Sequence, residues 1–228
     1  MTVIAIDGPS GSGKSSVSRE VARRLGLAYL DTGAMYRAAA IWVASQGIDL
    51  SDDAAVANAV SQMPLEMGLD PVNPLVTLAG KDVTKDIRAE QISTVVSRIA
   101  TNLAVRANMK QRQQAIIAAA HSPGIVAEGR DITTVIAPDA EVRLLLTASP
   151  EARLRRRALE NAGVADAATV AATKDQVLRR DADDATVSQF LTAAPGVITV
   201  DSSDLDFEQT VAAVLAVIAA ETGVNPND

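Results

Sequence analysis

Short apolar runs alternate along this chain with longer stretches of helical periodicity. Residues 3–6 are an apolar run that ends at Asp7 and Gly8. After a glycine-rich turn, Val17, Val21 and Leu25 recur at helical spacing, with Gly26 placed to stop the helix. The reading is strand, loop, helix. Residues 27–30 predict a second strand. Residues 34–45 predict a helix that is apolar nearly all round, hence buried, and stopped by Gly47. Ser51, Asp52 and Asp53 then supply a cap and a first-turn acid for a helix to about residue 63.

The texture changes beyond that point. Leu65, Met67 and Leu69 alternate with Glu66 and Gly68, and residues 70–74 carry two prolines and read as a turn. Residues 75–78 predict another short strand, and residues 80–82 turn again before Val83. A small antiparallel sheet is therefore expected as an insert. Helices over 89–100 and 103–120 follow, ended by Ser122, Pro123 and Gly124. Residues 125–127 are fully apolar and residues 142–146 are apolar apart from Arg143, as strands of a parallel sheet are. Ser149, Pro150 and Glu151 supply the N-cap, N1 proline and first-turn acid of an arginine-rich helix. Residues 161–168 read as a mobile hinge before a helix to about residue 180, residues 197–200 as a last strand, 207–220 as a last helix, and 225–228 as a fraying tail. No internal repeat is visible. Five strands interleaved with helices imply an α/β fold, a five-stranded parallel sheet covered by helices on both faces. On such sheets ligands bind at the carboxyl ends of the strands.

Composition narrows the chemistry. The 228 residues suit one domain carrying insertions, and with 2% aromatic against 48% hydrophobic residues the core must be Ala, Val, Ile and Leu, with Met35, Met63, Met67 and Trp42 as filler. No cysteine and a single histidine, His121, which reads as a surface residue, argue against thiolate catalysis, cysteine-ligated zinc and a Ser/His/Asp triad. A net charge of −7 argues against a duplex nucleic-acid track. No apolar run reaches the roughly 18 residues of a membrane span, and Met1 opens directly onto a strand instead of a basic leader. The expectation is a cytoplasmic monomer that binds neither nucleic acid nor membrane. Yet 16 of its 21 basic residues are arginine, with Arg153, Arg155, Arg156 and Arg157 nearly contiguous. Arginine's planar fork matches phosphate bidentately, so local phosphate sites are expected.

The strongest motif is Gly8-Pro9-Ser10-Gly11-Ser12-Gly13-Lys14-Ser15, which fits G-x-x-x-x-G-K-[ST] between a strand and a helix, with Ser16 continuing it. Glycines let backbone N–H groups face an anion, the helix N-terminus adds its dipole, Lys14 reaches the β/γ-phosphates of ATP, and Ser15 offers a hydroxyl to Mg²⁺. The loop fixes the nucleotide and leaves the reaction open. No N-K-x-D base-reading motif argues for a GTPase, and the chain is short for a motor. A compact kinase with an inserted acceptor-binding subdomain remains.

Two further motifs follow strands: Asp31-Thr32-Gly33-Ala34-Met35-Tyr36-Arg37 and Glu128-Gly129-Arg130-Asp131. With the phosphate loop and Arg179-Arg180-Asp181-Ala182-Asp183-Asp184, in this order and spacing, the chain resembles the bacterial cytidylate kinases of the nucleoside monophosphate kinase group over nearly its whole length. The resemblance implies a P-loop kinase fold with a small antiparallel acceptor-binding insert and a helical lid. It also implies transfer of the ATP γ-phosphate to CMP or dCMP in pyrimidine nucleotide metabolism, with ATP and Mg²⁺ required. On it, Thr32, Arg37 and Arg130 hold the CMP phosphate, with Tyr36 in the same motif, and Ser97, Arg106 and Asp131 read cytosine. Arg180 and Asp184 touch the CMP phosphate and sugar. Arg153, Arg156 and Arg157 lie in the lid, so that Lys14, Arg130, Arg153 and Arg157 form the catalytic set. The implied division is a core over 1–63, an acceptor-binding insert over 64–100, core again over 101–150, a lid over 151–186 and core over 187–228. The family usually carries an arginine where this chain has Val187, so one phosphate clamp is absent or comes from the lid.

Alternatives stand beside these roles. The arginine cluster also reads as a solvated helix face pairing with Glu151 or Glu160. Glu128 reads equally as a residue behind Mg²⁺ or as a strand-end acid, and Asp7 as a site residue or a structural one. Two other functions compete: a kinase in which Asp131 is the general base for a hydroxyl acceptor, and a nucleotide-binding switch with no acceptor.

Overall fold

In the computed structural model, which describes residues 1–223, strand β1 (Thr2–Asp7) leads through a loop into helix α1 (Lys14–Arg24), and β2 (Ala28–Asp31) runs directly into α2 (Thr32–Ser45). After α3 (Asp53–Ser61) come the short strands β3 (Leu65–Met67), β4 (Val76–Leu78) and β5 (Lys81–Asp82), then α4 (Glu90–Thr101) and α5 (Leu103–Ala119). The strands β6 (Gly124–Gly129) and β7 (Val142–Thr147) are followed by the helix pair α6 (Pro150–Ala162) and α7 (Ala167–Ala185), and β8 (Ile198–Asp201) and α8 (Phe207–Thr222) complete the described chain. The tail expected to fray, residues 225–228, lies outside the described residues.

Five strands pair in parallel in the order β2-β6-β1-β7-β8, with Ile4 of the central strand opposite Val126 on one side and Val142 on the other. The period-2 alternation of a strand sends successive side chains to opposite faces. Ile4 and Ile6 accordingly pack with Val126, Leu144, Val17 and Val21 of α1, and Val211 and Val214 of α8. Ala5, with Leu30, Ile125 and Ala127, faces the other way, into a larger core built with α2, α3, α4 and α5. Helices cover both faces, as the apolar runs predict, and the carboxyl ends of β1, β2 and β6 open on one edge.

The caps explain where helices begin. Asp52 accepts from the Ala55 amide at 2.9 Å, Asn102 from Ala104 and Val105 at 3.0 and 3.1 Å, and Ser149 from Ala152 at 3.2 Å. Met35 and Met63 are core filler as expected, and Trp42 packs against that core with its Nε1–H donating to the Ala59 carbonyl at 2.9 Å.

Three segments differ from expectation. The stretch read as a turn at 80–82 is mostly strand: Lys81 and Asp82 pair with Leu78 and Thr77, and only Ala79 and Gly80 turn, at φ 51° and 75°. Both positive angles suit the tight two-residue hairpin that matches strand twist. Helix α7 runs past Arg180 to Ala185, which sets Arg180 and Asp184 one turn apart on a single helix face. Finally, residues 132–136 form a π-helical turn that periodicity did not signal.

Candidate active site

The loop between β1 and α1 is shaped by glycine where no other residue fits. Gly13 caps α1 at φ 85°, and Gly11, at φ 76°, would bring a Cβ within 2.6 Å of the Arg153 carbonyl. Lys14, the first residue of α1, is buried at 7% exposure and donates through Nζ to Glu128 Oε2. The other oxygen of that carboxylate accepts from Ser15 Oγ at 2.6 Å and from the Tyr29 hydroxyl at 3.3 Å. Burial pulls the Lys14 pKa below its ordinary value, and the Glu128 charge opposes the shift. Glu128 thus holds both the lysine and the hydroxyl of the loop.

A loop that turns its amides toward an anion turns carbonyls away from it, and those carbonyls need donors. Three arginines supply them at every second residue. Arg130 Nη1 donates to Gly8 O at 2.7 Å, Arg153 Nη1 to Ser10 O at 2.9 Å, and Arg156 Nη1 to Ser12 O at 3.1 Å. Asp181 of α7 closes the clamp, accepting from the Ser10 amide at 2.9 Å and pairing with Arg153. Arg156 is anchored further on Ser202 and Leu205. Thus Arg153 and Arg156 are loop anchors, neither a solvated face nor free cations. Arg157 does pair with Glu160, at 2.8 Å, as the solvated-face reading has it, but both residues line the cavity.

Asp7 is structural. Its carboxylate accepts from the amides of Ile132 and Thr133, both at 2.9 Å, and from Thr133 Oγ1 at 2.6 Å, tying the π-helical turn to the end of β1. That turn directly follows Arg130 and Asp131. At the end of β2, Asp31 caps α2 through the Ala34 amide at 2.8 Å and lies 3.3 Å from Arg37. Burial alone would raise the Asp31 carboxyl, but Arg37 and Lys14 together hold it below its ordinary value.

Beside the loop lies a cleft of about 610 Å³. Of the expected loop residues, Pro9, Ser10, Gly11, Gly13, Lys14, Ser15 and Ser16 line it. Thr32, Tyr36, Arg37, Arg106, Arg130, Asp131, Arg180 and Asp184 line its other side. Gly8, Ser12, Ser97 and Arg153 are not on its wall, and α4 presents Val96 and Ala100 there instead of Ser97. Arg106 reaches Asp131 at 2.5 Å. Burial pushes the Asp131 carboxyl above its ordinary value, against the pull of Arg106. The Tyr36 hydroxyl is likewise raised by burial, next to Arg106, Asp131 and Asp184. Thr32 Oγ1 is engaged with the Glu128 carbonyl at 2.8 Å.

Positive charge is left over at this wall. The buried Nε atoms of Arg37, Arg130 and Arg180 have no hydrogen-bond partner. Asp184 lies 3.3 Å from Arg130 Nε and 3.9 Å from Arg180 Nε, Asp31 pairs with Arg37, and over the whole lining five carboxylates face eight lysines and arginines. Burial, and then the like charges of Arg130 and Arg37, lower the Arg180 pKa to about 10. Val187 is half-buried off the wall, while Ser188 beside it is on the wall.

Sequence reasoning missed Arg88 and the apolar contribution of the insert. Arg88, in a short 3₁₀ turn, lines the cleft but sits in no motif. Met67, read as filler, lines the cleft with Val72 and Leu75. Asp31 stood within a quoted motif and needed only the strand end to be found. His121 is exposed, as expected.

A family model described as cytidylate kinase matches residues 4–220. A cytidylate kinase of Cutibacterium acnes is 49% identical over 217 residues, covering 95% of this chain and 95% of its own. Cytidylate kinases of Streptomyces avermitilis and Rhodococcus opacus are 42% and 43% identical, covering 95% and 97% of this chain and 92% and 96% of theirs.

Proposed function

The chain belongs to the cytidylate kinase family, and we infer that it transfers the γ-phosphate of ATP to CMP or dCMP, giving ADP and CDP or dCDP. One observation carries the acceptor side of this reading: the cleft that holds the phosphate loop is lined by eight lysines and arginines against five carboxylates. A site that needed only ATP would not keep a second group of arginines, Arg37, Arg106, Arg130 and Arg180, on its wall.

In this reading residues 8–16 hold the ATP phosphates, with Lys14 on the transferring end. Ser15 and Glu128 offer the hard oxygen donors that suit Mg²⁺, which keeps waters and phosphate oxygens as its other ligands. Among the described residues no cluster of three His, Cys, Asp or Glu competes for a metal. When bound, the ion neutralises charge on the phosphate oxygens. Arg37, Arg130 and Arg180, with Thr32, take the acceptor phosphate. Arg106 and Asp131 read cytosine, the carboxylate accepting from the exocyclic N4 amino group, and Ser97 joins them when the insert closes. Tyr36 packs against that pair, and Asp184 takes the sugar. Residues 64–100 act as the acceptor-binding insert and 151–186 as the lid, between core segments 1–63, 101–150 and 187–228. Arg157 reaches the transferring phosphate from the lid, and Arg153 acts through the loop it clamps.

The acceptor phosphate is already anionic near neutral pH, so one of its oxygens attacks the γ-phosphorus in line without a general base. The new P–O bond forms as the bond to the β-phosphate oxygen breaks, and ADP leaves carrying that electron pair. The protein supplies position and positive charge. A chain without cysteine and with one histidine on its surface lacks nothing for this reaction. Coupled measurement of ADP release with CMP, dCMP, UMP, AMP and shikimate tests it. Stimulation by CMP or dCMP is expected, and its absence would overturn the reading.

A further inference from the structure

Arg130 is held from four directions. Nη1 donates to the Gly8 carbonyl, Nε faces Asp184 at 3.3 Å, Nη2 lies 4.0 Å from Asp181, and the guanidinium carbon stands 4.9 Å from the centroid of the Phe190 ring. The first three contacts come from the loop and from α7. The fourth comes from the irregular segment after α7, and it differs in kind. A ring face attracts a cation and fixes its plane without taking up an N–H and without adding a negative charge. A carboxylate in its place, a fourth polar partner, would do both, and would compete with any phosphate for the remaining donors.

The segment is built to deliver that ring. Beyond Ala185 the chain folds back on the last turn of α7, with the Ser188 amide and hydroxyl both donating to the Asp184 carbonyl, at 3.1 and 3.0 Å. The residue whose carboxylate flanks Arg130 thus also anchors the backbone that carries Phe190 beneath it. Phe190 is 1% exposed, whereas the chain's other phenylalanine, Phe207, is 46% exposed. Phe190 also belongs to neither of the two apolar clusters that flank the sheet.

We propose that Phe190 is a positioning residue for acceptor binding: its ring orients the Arg130 guanidinium so that the free donors of that group face the acceptor phosphate. The proposal rests on the reading of Arg130 as an acceptor-phosphate ligand. It predicts a specific defect. Without the ring, Arg130 keeps its charge and its Gly8 contact but loses its fixed plane, so acceptor affinity falls while ATP affinity does not.

The experiment is a double-mutant cycle on the full chain, reading KM for CMP, KM for ATP and kcat for Phe190→Leu, Phe190→Met, Phe190→Tyr, Arg130→Met and the Phe190→Leu/Arg130→Met pair, with thermal unfolding of each. Leu and Met keep apolar bulk without a ring; Tyr keeps the ring. We expect the two ring-less variants to raise KM for CMP by about 3- to 10-fold, in keeping with one partly desolvated cation–ring contact. KM for ATP should hold within about 2-fold, and Phe190→Tyr should restore KM for CMP. In the Arg130→Met background, Phe190→Leu should add nothing. Two results would overturn the role of Phe190 and leave Arg130 in place: Arg130→Met raises KM for CMP but the ring-less variants do not, or their effects add independently. Equal loss for both substrates in proportion to lost thermal stability would assign Phe190 to packing alone and also overturn the proposal. If Arg130→Met leaves KM for CMP unchanged, the reading of Arg130 falls and this proposal with it.

Discussion

Lys14 and Glu128 form a buried ion pair between the first residue of α1 and the end of β6, and the same carboxylate accepts from Ser15 at 2.6 Å. One acidic side chain thereby sets both the lysine and the hydroxyl of the phosphate loop.

Replacing Glu128 by Gln removes the charge that opposes the burial-driven fall in the Lys14 pKa and removes the carboxylate behind Ser15. Activity should drop about 10- to 100-fold, with a higher Mg²⁺ requirement, as for outer partners of metal ligands elsewhere. Titration of kcat/KM for ATP against Mg²⁺ measures both. A variant indistinguishable from the parent across the titration would remove Glu128 from the site.

Asp131 separates two readings of the reaction. If it reads cytosine, Asp131→Ala should lower kcat/KM for CMP about 10- to 100-fold, the scale of one lost base contact, and spare residual turnover of UMP. A general base would be missed with every acceptor. The pH profile follows from the same group. Burial raises the carboxyl above its ordinary 3.8, so it protonates earlier as pH falls. Once protonated it no longer pairs as an anion with Arg106. The acid limb of kcat/KM for CMP should therefore lie above pH 3.8, and Asp131→Ala should remove it.

The Arg153–Asp181 pair clamps both the carbonyl and the amide of Ser10. Breaking it with Arg153→Met leaves the buried Asp181 carboxylate with only the Ser10 amide and, at 4.0 Å, Arg130, a change that costs about 3 kcal/mol in comparable pairs. In a chain of this size that lowers Tm by about 6–12 °C. KM for ATP should rise more than KM for CMP, since the loop is what moves. The double change Arg153→Met/Asp181→Leu should recover part of the stability. Equal Tm values for single and double variants would show that the stranded charge is not the cause.

Ala79 holds φ 51° in the β4–β5 turn, a conformation that costs a residue with a Cβ about 1 kcal/mol. Ala79→Gly should relieve it and raise Tm by about 2–4 °C. Kinetics should be unchanged, because the turn is outside the cleft lining. A fall in Tm would mean that the entropy of the added glycine outweighs the strain.

The order of elements was legible because each carries a local signal. Five apolar runs became the five parallel strands, and Asp52 and Ser149 mark helix starts by their own chemistry. The phosphate loop was legible for the same reason, since its glycines and lysine act through adjacent backbone. Arg88 and Phe190 were not. Arg88 reaches the cleft, and Phe190 the guanidinium of Arg130, from segments with no period and no motif, and only the fold brings them there. The length of α7 was underread because Asp181, Asp183 and Asp184 look like a polar stop, whereas Asp181 faces Arg153 and Asp184 faces Arg130 from other elements.

The sequence alone determined which groups this chain has for its chemistry: a phosphate loop, an excess of arginine, and almost no histidine or cysteine. It did not determine which arginine does what. Arg153, Arg156 and Arg157 are near neighbours on one helix, yet two are anchored on loop carbonyls and one lines the cleft. That division depends on which carbonyls and carboxylates lie within a guanidinium's reach, across separations of more than a hundred residues, and only the packing of α6 and α7 against the phosphate loop sets it.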